Sequence, residues 1–199
     1  MQLRAPAILV SARSHGETAV IARLFSEEAG IVAAYIAGGR GRQLRPVVIP
    51  GNLVAADIRA KSDSQLPFAR LELVRSRGPW LSEPLPAAAI AWVCALTASA
   101  LPERNVYPRL YSALLALLDA ICNAPSARGW AGALASYEVL LLREQGYGGE
   151  RPEIADLDGA LEILGRSEPL IARYLLADTR ADVLAARTLL VQRLNRMTA

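Results

Sequence analysis

Three arginines and three glycines are interleaved within residues 36–46: Arg40, Arg42 and Arg45 among Gly38, Gly39 and Gly41. The glycines allow backbone conformations closed to other residues and a close approach to a partner. The arginines present planar donors that match phosphate oxygens. This is chemistry for holding an anion, not for making or breaking bonds. Nothing else in the chain points to catalysis. His15 is the single histidine, two residues before Glu17, with no nucleophile or second base placed beside it. Asp156 and Asp158 precede a helical stretch and read as caps, not cation ligands. No P-loop, dinucleotide fingerprint or metalloprotease helix occurs. Cys94 and Cys122 lie in separate apolar stretches, which is neither a disulfide framework nor a zinc spacing and suits a reducing cytosol. No catalytic residue, cofactor or metal is therefore expected.

The elements that must carry the arginine cluster change character near residue 80. Before it, residues 6–13, 17–25, 31–37, 53–60 and 66–75 read as five short strands. Turns are expected at 14–16, at 26–30 with Gly30 left-handed, and at 61–64. Five strands with regular turns favour a small closed barrel, which also removes exposed edges. After residue 80 the period is helical. Residues 87–101 are almost wholly apolar and should be central in their domain. Residues 108–123 and 128–145 are amphipathic, and the glycines at 146, 148 and 149 stop the second of these. Three shorter helices are expected at 158–165, 168–178 and 180–196, the last with Asp178 or Thr179 as N-cap. In it Arg180, Arg187, Arg193 and Arg196 fall opposite the apolar side. The fold class is thus α+β, with an all-β domain over 1–80 and an α-helical domain over 81–199. The uncharged run 84–102 falls short of a bilayer span and reads as a buried helix. The first residues lack a continuous signal-peptide core.

Charge is unevenly shared. The whole chain of 199 residues has a formal charge of +3. Residues 1–80 hold 11 Arg+Lys against 6 Asp+Glu, whereas residues 81–199 hold 11 against 13. The basic half is the candidate for an anionic partner. On barrel strands, Arg13, Arg23, Arg59, Arg70 and Arg75, together with Lys61 in the turn after the fourth strand and with Arg4 and Arg77, would extend the loop cluster into a basic face. Phe25, Tyr35 and Phe68 are expected to fill the barrel. Backbone contacts should then outweigh base stacking, and sequence specificity should be weak.

Two stretches carry a family resemblance. Glu17-Thr-Ala-Val-Ile-x-x-Leu-Phe-Ser-Glu-Glu-x-Gly30, followed by Ala37-Gly-Gly-Arg40 and a basic loop, resembles the start of the bacterial RecO family of recombination mediators. Tyr137-Glu-x-x-Leu-Leu-x-x-x-Gly146-Tyr-Gly148 resembles that family's central helix and the element that ends it. The resemblance implies an N-terminal OB-fold barrel and a helical domain. It implies binding of single- and double-stranded DNA, annealing of complementary strands, and help in loading recombinase onto strands coated by single-strand-binding protein. It also implies two protein partners, RecR and the acidic C-terminal tail of the single-strand-binding protein.

The chain departs from the family at three places. Ala37 stands where many members have a lysine. No four-cysteine zinc module follows Gly149. Ala135 and Ser136 stand where some members have a basic pair that receives the acidic tail, leaving Arg109, Arg128 or Arg143 as substitutes. The chain is also short for the family. Two classes of function follow: a non-enzymatic DNA-binding and annealing mediator of the nucleoid, or a protein-docking scaffold whose barrel makes no direct DNA contact.

Overall fold

Alternation decides which side chains line the barrel. In the computed structural model, β2 (Ala19–Ser26) turns Val20, Ala22 and Leu24 inward, and β3 (Gly30–Ile36) turns Val32, Ala34 and Ile36 inward. β1 (Gln2–His15), β4 (Leu53–Arg59) and β5 (Phe68–Arg75) add Ala7, Leu9, Val54, Ala56, Ile58, Ala69 and Leu71. The interior is filled by Ala, Val, Leu and Ile alone, as a five-stranded barrel with little internal room requires. The strands close in the order β1-β2-β3-β5-β4. Neighbours are antiparallel except β3 and β5, which run parallel and share the register pair Tyr35–Phe68. This is the small closed barrel expected from the strand pattern, and the OB-fold that the resemblance implies.

The structure describes residues 2–60, 62, 65–150, 152–177 and 182–197. Lys61 lies outside the described residues, as do Asp178, Thr179 and Arg180. The chain divides into two units: Met1–Ser82 with Leu101–Tyr111, and Glu83–Ala100 with Ser112–Ala199. The return of Leu101–Tyr111 to the barrel unit has no signal in the strand pattern. It forms a parallel bridge from Glu103 to Ile31, and Arg104 N–H donates to the Ile31 carbonyl at 2.8 Å.

That segment accounts for one misplaced aromatic. Phe25 is fully buried, but it points out of the barrel and packs edge-on against Tyr111, with ring centroids 5.7 Å apart. Tyr35 and Phe68 also point outward. None of the three fills the barrel, because the positions between them already do. His15 belongs to β1, paired with Ala19, and not to the turn expected at 14–16. The turn falls at Gly16 (φ +60°) instead.

The second unit is built from α1 (Pro84–Ala100), part of α2 (Pro108–Asn123), α3 (Ala131–Glu144), α4 (Leu157–Leu170) and α5 (Asp182–Asn195). α1 is buried around most of its circumference, including Ala89, Trp92, Val93 and Leu96, and packs on α5; α3 packs on α4. α3 ends in a Schellman motif: Gly146 (φ +85°) donates to the Arg143 carbonyl and Tyr147 to that of Leu142.

Two helix expectations are corrected. α4 does not break between 165 and 168; it runs through Pro169 into a π turn, Ile171–Leu175, closed by the Leu176 N–H on the Ile171 carbonyl. Leu164, Ser167 and Ile171 are buried at helical spacing and carry the helix past the proline. Arg187 is not on the solvent side of α5 but buried, because Glu138 of α3 is buried with it. Among the described residues no helix is long and apolar enough to cross a membrane.

Candidate nucleic-acid interface

The arginine/glycine segment is a chain of turns, not an extended loop. Gly39 N–H bonds to the Ile36 carbonyl, Gly41 to Gly38, Leu44 and Arg45 to Gly41, and Val47 and Val48 to Leu44. Gly38 is left-handed (φ +64°). A Cβ on Gly39 would lie 2.9 Å from the Cβ of Val20, so only glycine lets the segment lie down on β2. Arg40 fixes the near end. Its N–H donates to the Thr18 carbonyl at 2.9 Å, and its guanidinium donates to the Glu17 carbonyl at 3.0 Å.

Asn52 fixes the far end, and nothing in the sequence singled it out. It is fully buried, and its Nδ2 donates to the carbonyls of Pro46 and Val47, both at 3.0 Å. Its Oδ1 accepts from the Arg77 N–H at 2.7 Å, and its carbonyl accepts from Leu9 N–H at 3.0 Å. One residue thus ties the segment to β1, through its backbone carbonyl, and to the chain leaving β5, through its side-chain amide. Between the two anchors, Arg42 and Arg45 are exposed.

A row of side chains crosses the outer face of the barrel from β1 to β4. Register pairs Arg13 with Ile21, Ile21 with Tyr35, Tyr35 with Phe68, and Phe68 with Arg59. Paired residues point to the same side of a sheet. Phe68 is 63% exposed, with its ring 5.2 Å from that of half-buried Tyr35. His15, two residues beyond Arg13 on the same face, sets its ring edge-on to Tyr35 at 5.9 Å. Arg40 closes the row at the His15 end, through its bond to Glu17. The period of two in β2 and β3, carried through from Val20 and Val32, was the signal that would have placed Tyr35 outside.

The other expected cations divide. Arg70 is exposed and in register with Asp57; Arg75 is exposed at the end of β5. Arg59 and Arg4 both hold Asp57, at 2.8 and 3.2 Å. The hydrogen bond from Arg59, helped by the charge of Arg4, keeps the Asp57 carboxyl below the usual carboxylate range. Arg23 is turned away from the row. It pairs with Glu103 at 3.3 Å and donates to the Leu101 carbonyl at 3.3 Å, so it anchors the returning segment. Arg77 is buried.

Among the partner-binding candidates, Arg109 is exposed in the first turn of α2. Arg128 donates to the Met197 carbonyl at 3.1 Å, and Arg143 is exposed on α3, packed along Gly148. Ala135 is fully buried, so a basic residue there would face the core. Ser136 lines a cleft with Gly132, Ala133, Pro152, Glu153 and Ile154, where Glu153 brings a negative charge. Asp156 caps α4, accepting from Gly159 N–H at 2.9 Å.

Comparison with known proteins follows the same two parts. Residues 1–77 match the family model for the recombination protein O N terminal, and residues 82–150 match that for its C terminal. The DNA repair protein RecO of Rhodospirillum centenum is 43% identical over 143 residues, covering 71% of this chain and 56% of that protein. The DNA repair protein RecO of Gluconacetobacter diazotrophicus is 35% identical over 166 residues, 82% of this chain and 65% of that protein. That of Paracoccus denitrificans is 33% identical over 182 residues, 92% of this chain and 74% of that protein. The chain spans less than two thirds of the length of the first two relatives.

Proposed function

The chain belongs to the RecO family of DNA repair proteins, and from that footing we propose that it is a non-enzymatic mediator that binds DNA through its barrel. It anneals complementary strands and helps to load recombinase onto single strands coated by single-strand-binding protein. The observation that carries this reading is the segment anchored by Arg40 and Asn52, which leaves Arg42 and Arg45 exposed between the two anchors. Phosphate contacts of this kind neutralise two strands at once and read no sequence, which is what annealing needs. Arg40, Arg42, Arg45, Arg13, Arg59, Arg70 and Arg75 are the proposed contacts. Arg23 is left out because it is part-buried under the returning segment, held by both Glu103 and the Leu101 carbonyl. RecR is the proposed partner protein. For the acidic tail of the single-strand-binding protein, Arg109, Arg128 and Arg143 are proposed in place of a pair at Ala135 and Ser136.

The test is an anisotropy titration of labelled DNA at several salt concentrations. Each phosphate contact adds about −0.9 to the log–log salt slope for duplex and about −0.7 for single strands. Replacing Arg40, Arg42 and Arg45 together by alanine should flatten the slope by two to three such contacts for any sequence. An unchanged slope would remove the segment from the interface. A second reading draws on Leu73 and Val74, which are 41% and 58% exposed on β5. They fit a docking scaffold, and it is favoured if the chain binds no DNA in the same titration.

A further inference from the structure

We propose that the row His15–Tyr35–Phe68 is a stacking platform for unpaired bases, which makes the barrel a site selective for single-stranded DNA over duplex. The inference rests on the DNA-binding reading above and deepens it.

The rings are not part of any core. The barrel interior is complete without them, and Phe68 is 63% exposed. They sit at the closing seam, where the Tyr35 N–H donates to the Pro67 carbonyl at 2.7 Å and the strand pairing reduces to one register pair. The seam is therefore held by backbone, and the Phe68 ring is not needed to cover it. Neighbouring centroids lie 5.9 and 5.2 Å apart with interplanar angles of 84° and 67°. The rings touch edge to face, so they do not consume one another's faces in a parallel stack. The exposed ring of Phe68 offers a face to a base.

Charge selects the occupant. Arg13 and Arg59 stand at the two ends of the register row, and Arg40 lies beside the His15 end. An aromatic strip bordered by guanidinium groups matches a chain that alternates flat bases with phosphates. Asp57, the carboxylate paired with Arg70 in the register, is already held by Arg4 and Arg59. Duplex DNA hides its base faces inside the stack and offers only phosphates, so it cannot use the strip. Arg42 and Arg45 would serve both forms, and Phe68 and Tyr35 only the unpaired one.

The experiment uses the full chain with a labelled oligothymidylate and a labelled duplex of the same length. Phe68→Leu keeps an apolar side chain on an exposed strand position and removes the π face. It should weaken oligothymidylate binding by about ten- to a hundredfold. Duplex binding and both salt slopes should stay as in the wild type, because no charge is lost. Phe68→Trp should restore the affinity, with its added emission quenched on oligothymidylate binding. Circular dichroism of both variants checks that the barrel is intact. Equal loss on both ligands, or no loss on either, overturns the platform and leaves the arginine segment standing. If the wild type binds neither ligand, the platform and the DNA-binding reading fall together.

Discussion

Arg187 grips Glu138 with two prongs in the interior of the helical unit. Nη2 lies 2.8 Å from Oε2, and Nε donates to Oε1 at 3.0 Å, with the side chains 2% and 0% exposed. The remaining valences are met. Trp92 Nε1 donates to Oε1 at 2.8 Å, Ser167 Oγ donates to Oε2, and Arg187 also donates to Glu168 and to the Leu164 carbonyl. α1, α3, α4 and α5 thus meet at one charge pair. A satisfied buried pair adds little net stability, but breaking it strands a charge. Arg187→Ala should lower the unfolding free energy by about 3–5 kcal/mol in urea titrations. Replacing both partners together, Glu138→Leu with Arg187→Met, should recover most of that loss. A single variant as stable as the wild type would mean that the pair is not buried.

This pair marks where sequence reading stops. The pattern of α5 sets Arg187 with the outer arginines, since nothing local distinguishes it, and its partner is 49 residues away. By contrast, the strand pattern, the turn at Gly30 and the capping glycine at 146 follow from local rules, and the barrel and the first three helices stand where those rules put them. The aromatic row failed for another reason. Ring size suggested core, yet the register that fixes inward and outward sides is set by small residues such as Ala22 and Ala34. Asn52 was invisible because its role joins two nearby carbonyls, of Pro46 and Val47, to the distant Leu9 and Arg77 N–H groups that only the folded barrel brings to it.

Gly30 should be among the least replaceable residues of the barrel unit. It is left-handed (φ +65°), and a Cβ there would lie 1.9 Å from the Asn105 carbonyl oxygen. Gly16 has nearly the same φ, +60°, with nothing within 4 Å. Left-handed backbone alone costs a non-glycine residue about 1–2 kcal/mol. Gly16→Ala should show that cost only. Gly30→Ala should show it together with displacement of Leu101–Tyr111, read as a lower melting temperature and faster amide exchange at Arg104. Equal effects of the two substitutions would deny the close approach.

Asn52→Ala should loosen the arginine segment without touching any arginine. It removes two bonds to the Pro46 and Val47 carbonyls and leaves the buried Arg77 N–H without its acceptor. An unmet buried group costs about 1–3 kcal/mol. Amide exchange should quicken at Val47 and Val48, and DNA affinity should fall although the charge is unchanged. Asn52→Asp keeps the acceptor for Arg77 but sets a buried carboxylate oxygen against the Pro46 and Val47 carbonyls, so it should loosen the segment more than Asn52→Ala does. If exchange in the segment is unmoved by either change, Arg40 alone holds it.

Tyr137 should give the helical unit an alkaline limit. Its hydroxyl lies 2.6 Å from Thr97 Oγ1, and Thr97 spends its own proton on the Val93 carbonyl at 2.7 Å. Tyr137 must therefore donate, and it can do so only while protonated. Burial pushes its phenol well above the ordinary value. An unfolded tyrosine ionises near about pH 10. Because the folded value is the higher one, this contribution to stability is complete below about pH 10 and is lost as pH rises beyond it. The loss approaches about 1.4 kcal/mol for each further pH unit. Urea midpoints of the wild type should fall along that limb. Tyr137→Phe loses about 1 kcal/mol for the missing bond at neutral pH and should then have a flatter limb, the difference between the two curves isolating this residue. Parallel limbs would mean that the Tyr137 hydroxyl reaches water in the folded chain.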